Sequence, residues 1–166
     1  VDFSFMKIKN KQWSILAMKN SARLDLTLEF GSCNGTMLVD IINNNETLYS
    51  FHNVTEQFIN VSTLIELPSQ LKFIINGKNP RYDTKVDADG RILADKFVKL
   101  ANMSFGYVPV TESTLFSMLT YTPYEDPTVY HDIFWGFNGE VTIDFSYNTV
   151  IEWHLRNNNK FNLKRK

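Results

Sequence analysis

Three histidines, His52, His131 and His154, and a lone cysteine, Cys33, are the side chains of this 166-residue chain best suited to nucleophilic or metal chemistry. None stands in a recognisable setting. No G-x-S-x-G and no CxxC occurs, so no nucleophile is marked by its neighbours. His154 falls on the polar side of an alternating run, where an exposed histidine is ordinary. His131 and Asp132 are adjacent, and successive strand side chains point apart. Glu125, Asp126, Asp132, Glu140 and Glu152 are acids that a glycoside hydrolase would need to face across a cleft, but spacing alone does not pair them. No catalytic residue is expected, and the chain is read as not an enzyme.

A second cluster invites a metal. Asp83, Asp87, Asp89 and Asp95 surround Gly90. With Gly90 as the pivot of a calcium loop, the first and last ligand positions fall on Lys85 and Lys96, both cations. A hairpin turning at Asp89-Gly90 is the better reading, with Gly90 supplying a positive φ. A calcium site built from these carboxylates and a distant loop stays open as the alternative. No metal site and no cofactor is assigned.

Binding is better served. Tyr121, Tyr124, Tyr130, Phe134, Trp135 and Phe137 crowd into seventeen residues. Flat rings stack on sugars and anchor protein interfaces, because they offer area at low entropic cost. Phe134, Trp135 and Phe137 are read as core. Tyr121 and Tyr124, in a proline-broken stretch from Thr120 to Tyr130 read as an irregular loop, are divided between core and surface contact. With Tyr130 they are the ligand or interface candidates, beside Phe3, Phe5 and Ile8 of the N-terminal segment. There an edge strand over Val1–Lys9 would offer unpaired N–H and C=O groups to a partner.

These residues need a scaffold, and period-2 alternation supplies it. Leu24, Leu26, Leu28 and Phe30 alternate with Arg23, Asp25, Thr27 and Glu29, the pattern of a half-buried strand. Val141, Ile143 and Phe145 repeat it, as do Ile151, Trp153 and Leu155. Less regular strands are expected at Phe3–Lys9, Gln12–Met18, Thr36–Ile42, Thr47–Phe51, Gln57–Leu67, Leu71–Asn76 and Phe97–Phe105. Thr111–Leu119 reads as a short helix or a buried strand; Thr111-Glu112-Ser113-Thr114 offers helix caps, which favours one or two helical turns. Turn residues at Gly31–Gly35, Asn43–Asn45, Asn76–Pro80 and Asn138-Gly139 separate the strands. The fold class is therefore all-β, an antiparallel sandwich of jelly-roll type with at most one or two short helices, forming one domain over 1–166.

Composition narrows the partners. Hydrophobic residues make up 43% and aromatic residues 14%, too much for a disordered chain. A net charge of -1 gives no basic field, so nucleic acid is not expected. No apolar run reaches the roughly 18 residues of a membrane span, and the first residues do not read as a signal peptide. Asn-X-Ser/Thr occurs at Asn34, Asn45, Asn53, Asn60 and Asn102, which the abundance of Asn, Ser and Thr explains without glycosylation. A single cysteine fits a reducing compartment.

Three segments together carry a resemblance. Ile74-Ile75-Asn76-Gly77-Lys78, the run from Tyr82 to Leu100 with its Asp-Thr, Val-Asp, Gly, Ile and Asp-Lys, and Phe134-Trp135-Gly136-Phe137-Asn138-Gly139-Glu140 resemble small β-sandwich proteins of tailed marine phages. The strand Val150–Leu155 also fits. The likeness covers the second half of the chain and implies a fold similar to carbohydrate-binding modules. By analogy it implies a virion component made in the host cytoplasm, such as a capsid decoration or tail protein. Its partners would be other virion proteins or copies of itself. A glycan-binding module used in host attachment is the alternative. The shared motifs look structural, so the resemblance brings no functional residues with it.

Overall fold

The structure is a computed structural model that describes residues 21–146 and, as backbone alone, Phe5–Ile8 and Gln12–Met18. The expected last strand, with Trp153 and His154, lies outside the described residues, as does Phe3.

The strands are β1 (Phe5–Ile8), β2 (Gln12–Met18), β3 (Ser21–Gly31), β4 (Leu38–Asn43), β5 (Glu46–Phe51), β6 (Phe58–Glu66), β7 (Ser69–Asn76), β8 (Thr84–Val86), β9 (Ile92–Asp95), β10 (Phe97–Phe105), β11 (Val108–Pro109), β12 (Leu119–Pro123), β13 (Phe134–Trp135) and β14 (Gly139–Phe145). One helix, α1 (Glu112–Met118), interrupts them among the described residues. It begins where the capping residues placed it, with the Thr111 side chain accepting from the Thr114 N–H.

Two five-stranded sheets form the body. In one, β11, β10, β3 and β6 lie side by side and β13 also pairs with β10; in the other the order is β12-β14-β7-β4-β5. The strand pairs are antiparallel. Both sheets send alternate side chains into one core. Leu24, Leu26, Leu28 and Phe30 of β3 join Leu71, Phe73 and Ile75 of β7 and Val141, Ile143 and Phe145 of β14 there. Period-2 alternation thus marks the buried face of both layers, and the molecule is an antiparallel β-sandwich.

The weak alternation of Phe97–Phe105 has a local cause. The register of β10 against β3 slips between Leu100 and Asn102, leaving Ala101 as an extra residue. Val98 and Leu100 are buried before this bulge and Met103 and Phe105 after it, so the inward parity shifts by one.

The stretch from Thr120 to Tyr130 is not all loop. Leu119–Pro123 pairs with β14 along its length as strand β12. Pro123 is compatible with a strand there because β12 lies at the sheet edge, where a missing N–H breaks no ladder. At the facing position Gly139 allows the close approach, since a Cβ on it would lie 2.5 Å from the Thr122 carbonyl oxygen.

The β8–β9 hairpin turns at Asp89-Gly90 as the sequence implies, with Gly90 at φ 80°. The Asp87 carboxylate accepts from the Asp89 and Arg91 N–H groups, both at 2.9 Å. It therefore organises the turn instead of a calcium loop. A Cβ on Gly90 would meet no neighbour, which leaves the left-handed backbone as the whole penalty. Gly90→Ala should lower stability by about 1 kcal/mol in a denaturant titration. A neutral result would mean that the turn relaxes into another form.

Candidate functional site: an aromatic cleft with an acidic rim

The three segments that carry the resemblance interlock at one end of the sandwich. Lys78 follows β7, and its ammonium donates to Asp95 Oδ1 at 2.7 Å and to the Gly136 carbonyl at 2.6 Å. The side chains of Lys78 and Asp95 are only 3% and 14% exposed. Lys96 stands on the other flank, with its Nζ 3.1 Å from Asp83 Oδ2 and donating to the Gly77 carbonyl at 2.9 Å. Asp83 also accepts from the Asn79 N–H at 2.7 Å, and this bond, with Lys96 and the Asn34 amide, holds its carboxyl below the usual range against the opposing effect of burial.

The carboxylates that hinted at a metal are thus already served. Asp83 and Asp95 face lysine ammonium groups, and Asp87 caps its turn. No group of three or more His, Cys, Asp or Glu side chains among the described residues is placed to hold a metal ion. The sequence singles out Asp83 and Asp95, but it shows Lys78 only within a turn and Lys96 only as a cation at the last position of a calcium loop. The signal was present in two Lys-Asp pairings at matching ends of the hairpin, yet the long-range contact of Lys78 with Asp95 is a tertiary fact.

Asn138 ties the second motif to the first. Its side-chain Oδ1 accepts from the Lys78 N–H at 2.9 Å, and its Nδ2 donates to the Lys78 carbonyl at 2.8 Å. The amide thereby satisfies both polar groups of one backbone residue, as a neighbouring strand would. Tyr121 secures the next residue in the same manner. Its hydroxyl donates to the Phe137 carbonyl at 2.8 Å and accepts from the Phe137 N–H at 3.0 Å. Burial pushes the Tyr121 hydroxyl up to about 12, so it keeps its proton and its donor role near neutrality.

Above this support opens a cavity of about 450 Å³, within the range of about 300–1,000 Å³ typical of small-molecule sites. Its walls are mainly apolar: Tyr130, Phe134 and Phe137 contribute rings, with Pro80 and Pro123 beside them. Glu125, Asp126 and Asp132 add carboxylates. Asp126 Oδ2 accepts from the Tyr130 hydroxyl and Oδ1 from the Thr128 N–H at 3.0 Å. These bonds, the tyrosine's first, keep the Asp126 carboxyl below its ordinary range, so it stands ionised near neutrality.

The structure sorts the candidate residues. Tyr121 and Tyr130 meet in the cleft, bridged strand to strand with N–H···O bonds of 2.8 Å in both directions. Tyr121 is nonetheless buried, 4% exposed, so it supports the cleft more than it contacts solvent. Tyr124 is 53% exposed but does not line the cleft. Phe5 and Ile8 lie on β1, which pairs with β2. Of the three residues read as core, only Trp135 is. Phe134 and Phe137 are 41% and 54% exposed. Trp135 points into the sandwich, and its two aromatic flanks are left to the surface, where Phe134 leans on Phe97 with centroids 4.7 Å apart.

Among the described residues, His52 and His131 assemble no catalytic set. His131 Nδ1 is 2.8 Å from the Leu119 carbonyl, which accepts its proton, and His52 pairs with Asp40 at 3.5 Å on the surface. Cys33 is buried. No helix is long and apolar enough to cross a membrane among the described residues.

No protein-family model matches the chain, and no curated protein matches it. Among solved structures it is similar to vCBM60, described with two families of calcium-dependent carbohydrate binding modules. The identity is 13% and the TM-score 0.46, over 74% of this chain and 90% of that one. The structure of vCBM60 in complex with galactobiose gives 12% identity and a TM-score of 0.45, over 74% of this chain and 97% of that one. Likenesses this distant assign neither family nor ligand.

Proposed function

We propose that the chain is a non-catalytic binding module that takes a carbohydrate in the cleft formed by Tyr130, Phe134 and Phe137. The observation that carries this reading is the pairing of exposed rings with the carboxylates of Glu125, Asp126 and Asp132 around one concave site. A sugar presents an apolar C–H face and a rim of hydroxyl donors. Rings meet the first and carboxylate acceptors the second.

Hydrolysis is the less suitable use of the same acids. A general acid requires a carboxyl whose proton is held, and Asp126 is pushed the opposite way by Tyr130. No observation among the described residues favours the virion role.

The test is affinity electrophoresis and calorimetry against neutral, cationic and anionic oligosaccharides. Phe137→Ala should weaken retention by at least about tenfold, which is 1.4 kcal/mol. Its Tm should move little, because the ring is more than half exposed. No new reducing ends should accumulate on prolonged incubation. Retention unchanged in Phe137→Ala, or no carbohydrate retained by the wild type, would remove this reading.

A further inference from the structure

We infer that the cleft selects a glycan bearing free amino groups, an amino sugar in its cationic form; the inference rests on the carbohydrate reading above. Three carboxylates, those of Glu125, Asp126 and Asp132, line the cavity, and among the described residues no lysine or arginine lines it. The Lys78 ammonium stands 5.3 Å from the Phe137 ring centroid. It is buried behind the ring and bound to Asp95 and the Gly136 carbonyl, so Asp95 balances its charge. Among the described residues, the cavity lining therefore sets no lysine or arginine against its carboxylates.

Part of the acceptor capacity is also unspent. Asp132 uses Oδ1 for the Phe134 N–H at 3.1 Å and, among the described residues, makes no hydrogen bond through Oδ2. Glu125 makes none among the described residues. Asp126 is committed to Tyr130 and Thr128 and contributes its charge more than a free oxygen. A carboxylate only accepts, and an ammonium only donates, so the two are matched in role as well as in charge. An aromatic face attracts the same cation through its quadrupole. An N-acetylated sugar offers an amide in place of the ammonium and loses both attractions. A uronic acid meets like charge.

The experiment is calorimetry of the full chain with three oligomers of equal length: β-linked glucosamine, its fully N-acetylated counterpart, and a uronic acid. Glucosamine should bind about tenfold more tightly than the acetylated oligomer at low salt. The gap should close as the screening length falls from about 30 Å at 0.01 M to about 3 Å at 1 M. Glu125→Gln with Asp132→Asn should make the two oligomers bind alike, with melting curves confirming that the variant is folded. A short lysine peptide should bind much more weakly than glucosamine. Equal binding of free and acetylated oligomers, measurable uronate binding, or a lysine peptide binding as well as glucosamine would overturn the selection while leaving a carbohydrate site in place. Binding of none of the oligosaccharides would instead remove the carbohydrate reading itself.

Discussion

Lys78→Met should destabilise the protein by about 3–5 kcal/mol, the usual cost of removing one partner from a buried ion pair. The loss is large because the substitution strands Asp95. That carboxylate would keep Thr84 Oγ1 at 2.6 Å and the Lys96 N–H at 2.9 Å, but it would lose the one ammonium it meets among the described residues, in a place where water enters poorly. The Gly136 carbonyl would also lose its buried donor. In a chain of this size each kcal/mol is worth about 2–4 °C, so a fall in Tm of roughly 10 °C is expected. Lys78→Met combined with Asp95→Leu should recover part of the loss, because no unpaired charge remains. If the single and double variants melt together, the pair is not coupled, and the lysine acts by packing alone. Carbohydrate binding should fall in both, since Gly136 and Phe137 are the floor and wall that Lys78 holds.

The same cluster shows where the sequence was readable and where it was not. Leu24 to Phe30 and Val141 to Phe145 declare their buried face through period two alone, because a strand has only two faces. Asp89-Gly90 declares its turn through the φ that glycine permits. Burial of an aromatic is different. Phe134, Trp135 and Phe137 share composition and neighbourhood, and only pairing with β10 decides that Trp135 turns inward while Phe134 opposes Lys99. Tyr121 belonged to a stretch broken by prolines and so read as loop. Its place in an edge strand depends on β14, whose partners no local signal names. The cleft was half legible: its tyrosines and carboxylates were noted as separate groups, but the sequence could not bring Pro80 beside Phe137. Their shared place in the cleft lining goes with Asn138 gripping Lys78 across sixty residues of chain.

Trp135→Ala should be the costliest single truncation in the site, at about 3–5 kcal/mol. The side chain is fully buried and lies 5.2 Å, centroid to centroid, from Phe73 in the facing sheet, so it joins the two layers directly beneath the cleft. Deletion leaves a cavity that neither sheet can close without moving its backbone. A second effect follows from polarity. Trp135 Nε1 donates to the Asp132 carbonyl at 2.7 Å, while the Asp132 carboxylate accepts from the Phe134 N–H. The indole thus fixes the residue that contributes one of the cleft's carboxylates. Trp135→Phe separates the two roles: it keeps most of the apolar volume and removes only the donor. Its stability cost should be nearer 1–2 kcal/mol, from the smaller ring and the lost hydrogen bond. Binding to carbohydrate should nonetheless weaken, because Asp132 is no longer held. Denaturant titration and calorimetry on the same samples check both. A Trp135→Phe protein that loses stability but binds as tightly as the wild type would show that Asp132 is positioned by its own turn, and that the tryptophan serves the core alone.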